Sequence, residues 1–148
     1  MSRTPPPEII AAAKAAHKVW PMSPASVAIA QWEIESGWGS HMPAGSNNPF
    51  GIKALAGQPH VDAMTTEYIG GRFVRMPQPF RKFASLTEAF IDHGRLLSTA
   101  APYAAARAAL PDVRKFVAAM AKRYATDPGY AAKILGQIDA GNLTQYDL

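Results

Sequence analysis

The 148-residue chain has no cysteine. Disulfide staples and thiolate metal sites are therefore excluded, and the fold must rest on its core. A chain of this length can bury about two thirds of its unfolded surface, enough for one domain and little more. Long apolar runs are missing as well. Nothing approaches the roughly 20 apolar residues of a membrane-spanning helix, so no stable membrane insertion is expected. The N-terminal MSRTPPPEII lacks the pattern of a secretory signal, because the apolar stretch from Ile9 to Ala16 is broken by Lys14 and follows three prolines. The four histidines, His17, His41, His60 and His93, are scattered without the H-E-x-x-H spacing of a helical zinc site. No glycine-rich phosphate loop occurs either. Neither a metal nor a cofactor is expected.

What is present is globular in character. Hydrophobic residues make up 48% and charged residues 18%, whereas a disordered chain is poorer in the first and richer in the second. The net charge is +4, which suits an anionic partner such as nucleic acid, a membrane surface or a cell wall. Residues 1–7 read as an extended lead-in, since Pro5, Pro6 and Pro7 cannot occupy a helix interior. Residues 8–148 read as a single domain. A first helix is predicted from Pro7 to Trp20 and a second from Pro24 to Ser36, with Ser23 as N-cap and a stop at Gly37 or Gly39. Residues 40–60 are rich in turn formers. Asp62–Tyr68 and Arg72–Met76 read as a hairpin around Gly70-Gly71, with a further short strand at Phe80–Phe83. Ser85 to Glu88 forms a capping box for a third helix bearing Leu86, Phe90 and Leu97. Further helices are predicted over Asp112–Lys122 and after an Asp127-Pro128 N-cap, the last ending near Gly141. The segment Ser98–Ala109 has no clear pattern. The fold class is α+β: mostly helical with a small β-hairpin lobe.

The second helix carries the strongest chemical signal. At about 100° per residue, Val27, Ala30 and Ile34 share one side while Ala28, Ile29 and Trp32 fill much of the other. A helix apolar nearly all round is a buried helix, and carboxylates on it call for an explanation. Glu33 and Glu35 point about 200° apart, so they cannot face one cleft. Glu35 shares the side of Gln31 and lies beside the glycines where the helix opens into a loop. There the negative end of the helix dipole and partial burial beside Trp32 or Trp38 would both disfavour its charged form. A carboxylic acid that keeps its proton near neutral pH can protonate a glycosidic oxygen. The same spacing also describes a surface glutamate at a helix end.

Glu35-Ser36-Gly37-Trp38-Gly39, followed by Asn47-Asn48-Pro49-Phe50-Gly51-Ile52-Lys53, resembles the signature of the glucosaminidase family of peptidoglycan hydrolases, glycoside hydrolase family 73. Thr65-Thr66-Glu67-Tyr68, then Phe80-Arg81-Lys82-Phe83 with Ser85, then Tyr124-Ala125-Thr126-Asp127-Pro128-Gly129-Tyr130 match in family order. The resemblance covers roughly residues 8 to 140. It implies a lysozyme-like fold with the β-lobe flanking a catalytic cleft, and cleavage of β-1,4 bonds in the cell-wall glycan by an endo-β-N-acetylglucosaminidase.

Carried over residue by residue, the resemblance makes Glu35 the general acid. Glu67 becomes the second carboxylate, base for a water or helper to the substrate's acetamido group. Tyr124 is implied to line the catalytic cleft. Asn47, Asn48 and Phe50 match a loop near the cleft, where Pro49 replaces a more usual apolar residue. Gln31, Tyr68 and Tyr130 join the expected substrate-binding set, although Tyr130 reads more as a helix packing residue than as a ligand. Trp38 either stacks on a sugar or plugs the helix end. The separation of the two carboxyls would distinguish a retaining route, at about 5 Å, from an inverting one, at about 6.5–9.5 Å.

Two rival readings stay open. A muramidase or lytic transglycosylase would act on the same polymer, and a non-catalytic cell-wall-binding domain would bind it without cutting. Nucleic acid is disfavoured: Arg107, Arg114, Lys115, Lys122 and Arg123 read as a solvated helix face and are not interleaved with aromatics. The expected partner is the peptidoglycan glycan strand, met by a monomer. Without a signal peptide, the expected course is synthesis in the cytoplasm and action on the wall or periplasm after release by lysis, a pore or a secretion system.

Overall fold

The computed structural model describes residues 3–148. Six α-helices and one two-stranded antiparallel sheet account for most of it: α1 (Pro7–Val19), α2 (Ala25–Ser36), β1 (His60–Ile69), β2 (Arg72–Arg81), α3 (Leu86–Thr99), α4 (Ala104–Ala109), α5 (Val113–Tyr124) and α6 (Tyr130–Gly141). Short 3-10 turns at Ala101–Tyr103 and Leu143–Tyr146 join or end the helices. The α+β class, helical with a hairpin lobe, is as the sequence implies.

The core is the space around α2. Its Val27, Ile29 and Ala30 are fully buried among Ile9 and Ala13 of α1, Phe90 and Leu97 of α3, Phe116 and Met120 of α5, and Ile134 and Ile138 of α6. The N-terminus of α2 is capped differently from the expectation. Pro24, not Ser23, is the N-cap residue and offers no side-chain cap. The first-turn donors are met from the far end of the chain: Asp147 accepts from the Ser26 N–H at 2.7 Å and from its hydroxyl at 2.6 Å. A carboxylate there also suits the positive end of the helix dipole. Ser23 is instead buried, and its carbonyl accepts from His17 Nδ1 at 2.8 Å.

The hairpin is longer than predicted. Phe80 and Arg81 belong to β2 itself, and Phe83 lies beyond it. Pro77 and Pro79 do not interrupt the strand, because residues two apart turn their N positions to the same side. That side faces away from β1: the Pro79 carbonyl accepts from Ala54 N at 2.8 Å on the outer edge, so no ladder donor is lost. The register pairs Glu67 with Val74, Thr65 with Met76 and Ala63 with Gln78.

At α3 the expected capping box forms with a shift: Ser85 Oγ accepts from Glu88 N at 3.2 Å, while Glu88 Oε2 accepts from Ala84 N at 3.2 Å rather than from Ser85 N. The segment without a sequence pattern becomes a 3-10 turn and α4, and Arg107 of α4 closes the end of α3. Its guanidinium donates to the Leu97 and Ala100 carbonyls at 2.9 Å each, so it is a cap rather than part of a solvated face. Asp112, expected as the first residue of its helix, is instead the N-cap of α5 and accepts from Lys115 N. Asp127 does not cap α6; Gly129 holds that place, and Asp127 accepts from its N–H at 2.8 Å in the turn before.

Glu33 fastens α2 to α6. It is buried and accepts from Gln137 Nε2 at 3.1 Å. Burial lifts its pKa from 4.5 to about 7, against the opposing pull of Gln137 and of the Arg3 charge. Between those two values the folded state holds a proton that the unfolded chain has lost, so stability falls as pH rises through the window. Glu33→Gln should therefore match the parent protein in melting temperature near pH 4.5 and exceed it at pH 8. Thermal melts across that range check this, and parallel pH dependences would contradict it. Ser85→Ala should cost about 1 kcal/mol through loss of the α3 cap, read as a lower urea midpoint with an unchanged slope.

Candidate active site

Glu35 stands in the last turn of α2. The helix stops because Gly37 turns left-handed, with φ of 54°, a conformation that an L side chain resists. A Cβ at Gly37 would also sit 2.5 Å from Cδ2 of His41. Glu35 is exposed and opens into a cleft of about 360 Å³. One wall of the cleft is the loop after α2, with His41, Pro49 and Gly51. The other is the hairpin, with Ala63, Thr65 and Phe80.

Behind the carboxylate lies a buried polar chain. Tyr130, the first residue of α6, donates its hydroxyl to Glu35 Oε1 at 2.6 Å. Gln31 Nε2, one turn before Glu35, donates to the Tyr130 oxygen at 3.0 Å. Gln31 Oε1 meets His93 Nε2 of α3 at 2.7 Å. Tyr124 lies flat against Tyr130, with ring centroids 5.8 Å apart and planes 5° from parallel. Burial, then the hydrogen bond to Glu35, holds the Tyr130 pKa above its ordinary value of 10; burial and the nearby Glu35 charge do the same for Tyr124. Both rings therefore remain phenols. Tyr130 takes one oxygen of Glu35, which leaves Oε2 to exchange a proton with a molecule in the cleft.

Glu67 lies on the cleft-facing side of β1. Strand residues two apart share a face, and Ala63, Thr65 and Glu67 form one such row. Glu67 stands about 7 Å beyond Thr65 toward the hairpin tip, at two residues of strand rise. There it pairs with Lys53 at 2.9 Å.

The remaining expected site residues divide by burial. Gln31 is 0% exposed and Phe50 4%, so neither touches a substrate. The expectation that they bind it is corrected: Gln31 spends its amide inside the protein, and Phe50 stacks on His93 at 4.2 Å. Tyr130 is buried too and reaches Glu35 rather than the open cleft. Asn48 lines the cleft, yet its amide is used internally, donating to the Ile52 and Arg81 carbonyls at 2.8 and 2.9 Å. Asn47 donates to the Phe83 carbonyl at 3.0 Å. Trp38 meets Trp32 edge-on at 5.7 Å and carries the Arg3 guanidinium 3.7 Å above its ring, so it plugs the helix end. Tyr68 is on the opposite face of the hairpin from Glu67, exposed and paired with Phe73 at 5.1 Å.

Two participants escaped the sequence reading. His41 entered as one of four scattered histidines and lines the cleft. His93 was set aside in the same way, although Leu86, Phe90, His93 and Leu97 follow one helical stripe. A histidine on that stripe is marked for burial.

Comparison with known proteins places the chain in a family. The Glucosaminidase family model, described as mannosyl-glycoprotein endo-beta-N-acetylglucosaminidase, matches residues 10–143. The chain is 40% identical over 132 residues to an autolysin of Enterococcus faecalis, covering 83% of this chain and 18% of that protein. It is 38% identical over 130 residues to a probable N-acetylmuramidase of Lactococcus lactis, covering 82% of this chain and 30% of the other. It thus spans less than a third of either relative. The crystal structure of the catalytic domain of the autolysin Auto from Listeria monocytogenes superposes with a TM-score of 0.82 at 31% identity, covering 94% of this chain and 83% of that one. With the family model spanning nearly all of its length and the lysozyme-like fold behind it, this chain belongs to the Glucosaminidase family.

Proposed function

We propose that this domain is a peptidoglycan glycoside hydrolase, an endo-β-N-acetylglucosaminidase that cuts β-1,4 bonds of the wall glycan with Glu35 as general acid. The observation that carries this reading is Glu35 itself: an exposed carboxyl in a cleft, with one oxygen held at 2.6 Å by a buried phenol. Oε2 delivers a proton to the glycosidic oxygen as the bond to the anomeric carbon breaks. The charge left on the carboxylate is already met by the Tyr130 hydroxyl, so no group must reorient to stabilise it. Water, or the acetamido oxygen of the same sugar, attacks the anomeric carbon. Glu67, on the cleft-facing row of the hairpin, takes the proton from water or steadies the acetamido group. A net charge of +4 favours approach to an anionic wall polymer.

A second reading has one specific support, the N-acetylmuramidase name of a 38%-identical relative. Mass spectrometry of borohydride-reduced digests separates the two. A reduced glucosamine end marks a glucosaminidase, a reduced muramic acid end a muramidase, and an anhydromuramic end a transglycosylase. On purified sacculi, Glu35→Gln should slow clearing by at least about a hundredfold, the lower part of the range for general acid catalysis. Glu67→Gln should slow it by less. A Glu35→Gln variant that clears sacculi at the parent rate would remove Glu35 from its role, and a parent protein that binds sacculi without clearing them would make this a binding domain.

A further inference from the structure

The chain of hydrogen bonds behind Glu35 has two conceivable polarities, and a single buried atom selects between them. In the first, the neutral ring of His93 carries its proton on Nε2. It donates to Gln31 Oε1 at 2.7 Å, Gln31 Nε2 donates to the Tyr130 oxygen at 3.0 Å, and the Tyr130 hydrogen is directed to Glu35 Oε1 at 2.6 Å. In the second, every bond reverses. The ring proton sits on Nδ1, the Gln31 amide is flipped, and the Tyr130 hydrogen turns toward Gln31 and away from Glu35. The Nδ1 atom decides, because it is buried and has no hydrogen-bond partner among the described residues. Orphaned buried N–H groups are rarer in folded proteins than under-satisfied acceptors, which favours the bare lone pair on Nδ1 and the proton on Nε2. Phe50, stacked on the ring at 4.2 Å, helps to close the site.

We propose that His93 is a positioning residue for Glu35, acting through Gln31 to aim the Tyr130 hydroxyl. The inference rests on the reading of Glu35 as general acid. Both His93 and Gln31 are 0% exposed, so neither reaches a glycan, and their influence on the reaction runs through Tyr130. Burial pushes the His93 pKa down to about 3, so the ring is neutral wherever a wall hydrolase works and the polarity does not switch. The aim of the hydroxyl also allots the two oxygens of Glu35. Oε1 is occupied by a donor, which leaves Oε2 as the oxygen that serves the substrate in the general-acid reading. When the acid's proton passes to the glycosidic oxygen, the electron pair left on the carboxylate is stabilised by a hydrogen bond already in place. Such a contribution grows only as charge develops, so it belongs in kcat and not in KM.

The test uses the whole protein and soluble peptidoglycan fragments of defined length, with kcat and KM measured separately. His93→Phe keeps a ring against Phe50 and removes the N–H. It should lower kcat about tenfold, the effect of one charge-assisted hydrogen bond, with KM unchanged. His93→Gln places an amide N–H near the position of Nε2 and should recover most of that loss. In a Tyr130→Phe background, His93→Phe should add nothing further, because the route to Glu35 is already cut. Multiplying losses, no recovery in His93→Gln, or full kcat in His93→Phe would overturn the proposal. Glu35→Gln in the same assay keeps the two readings apart: if it is inactive while the His93 and Tyr130 losses multiply, only the relay fails; if it is active, the general-acid reading fails and takes the relay with it. Nitrogen-15 imidazole spectra of the parent protein test the tautomer even where a variant does not fold. A non-titrating Nε2–H ring between pH 5 and 8 supports the relay, and a proton on Nδ1 or a titration in that range overturns it.

Discussion

A helix buried on every side has no solvent to satisfy its polar groups, and α2 is such a helix. Ser26, Gln31, Glu33 and Ser36 all lie on it and all are buried. Each must find a partner in the protein or forfeit the cost of its desolvation. The partners come from across the chain. Asp147 near the C-terminus serves Ser26, His93 and Tyr130 serve Gln31, and Gln137 serves Glu33. Ser36 turns back on its own helix, donating to the Trp32 carbonyl and accepting from Gly39 N. The polar residues of one helix thereby fix how α3, α6 and the C-terminal turn are set around it. Glu35, alone among the helix's charged and amide side chains, emerges into open space.

The two walls of the cleft are held in different ways. On the loop side, Asn48 is a hub. Its Oδ1 accepts from Phe50 N at 3.3 Å and Ile52 N at 3.2 Å, while its Nδ2 donates to two carbonyls. On the hairpin side, none of the strand residues is buried. Two strands alone are marginal in water, so the hairpin depends on its base. There Arg81 N donates to the Ile52 carbonyl at 2.9 Å and Lys82 N to the Pro59 carbonyl at 2.9 Å. Toward the tip, Tyr68 meets Phe73 edge-on and, among the described residues, neither makes another aromatic contact. Local stability therefore falls from base to tip.

Patterns that depend on local chemistry were legible in the sequence. The capping box at Ser85, the left-handed stop at Gly37 and the hairpin turn at Gly70-Gly71 each involve neighbours a few residues apart. What was not legible depends on distance. No local signal shows that Asp147 caps a helix that starts at Ala25, or that Arg107 closes the end of α3. The length of β2 was hidden because prolines normally break strands; only the direction of the missing donors, set by pairing with β1, makes Pro77 and Pro79 harmless. The direction of Glu35 was readable from helical geometry. The burial of Gln31, one turn away on the same side, was not, because it results from α3 and α6 closing over that turn.

That difference explains why a family signature over-assigns contacts. Asn48, Phe50 and Tyr130 belong to motif segments around the cleft, Gln31 lies one turn before Glu35, and all four are buried. A motif selects residues that a site needs, whether they touch the substrate or hold those that do. Burial then separates the two groups. The supports form a dense cluster of hydrogen bonds and stacked rings behind Glu35, which gives its carboxyl one fixed direction. Glu67 has no such cluster: it has Lys53 and a strand without a buried residue. The two carboxyls thus sit on parts of unequal rigidity. Their separation is set jointly by the core that holds Glu35 and by the hairpin base, where Arg81 N and Lys82 N tie the second strand to the Ile52 and Pro59 carbonyls.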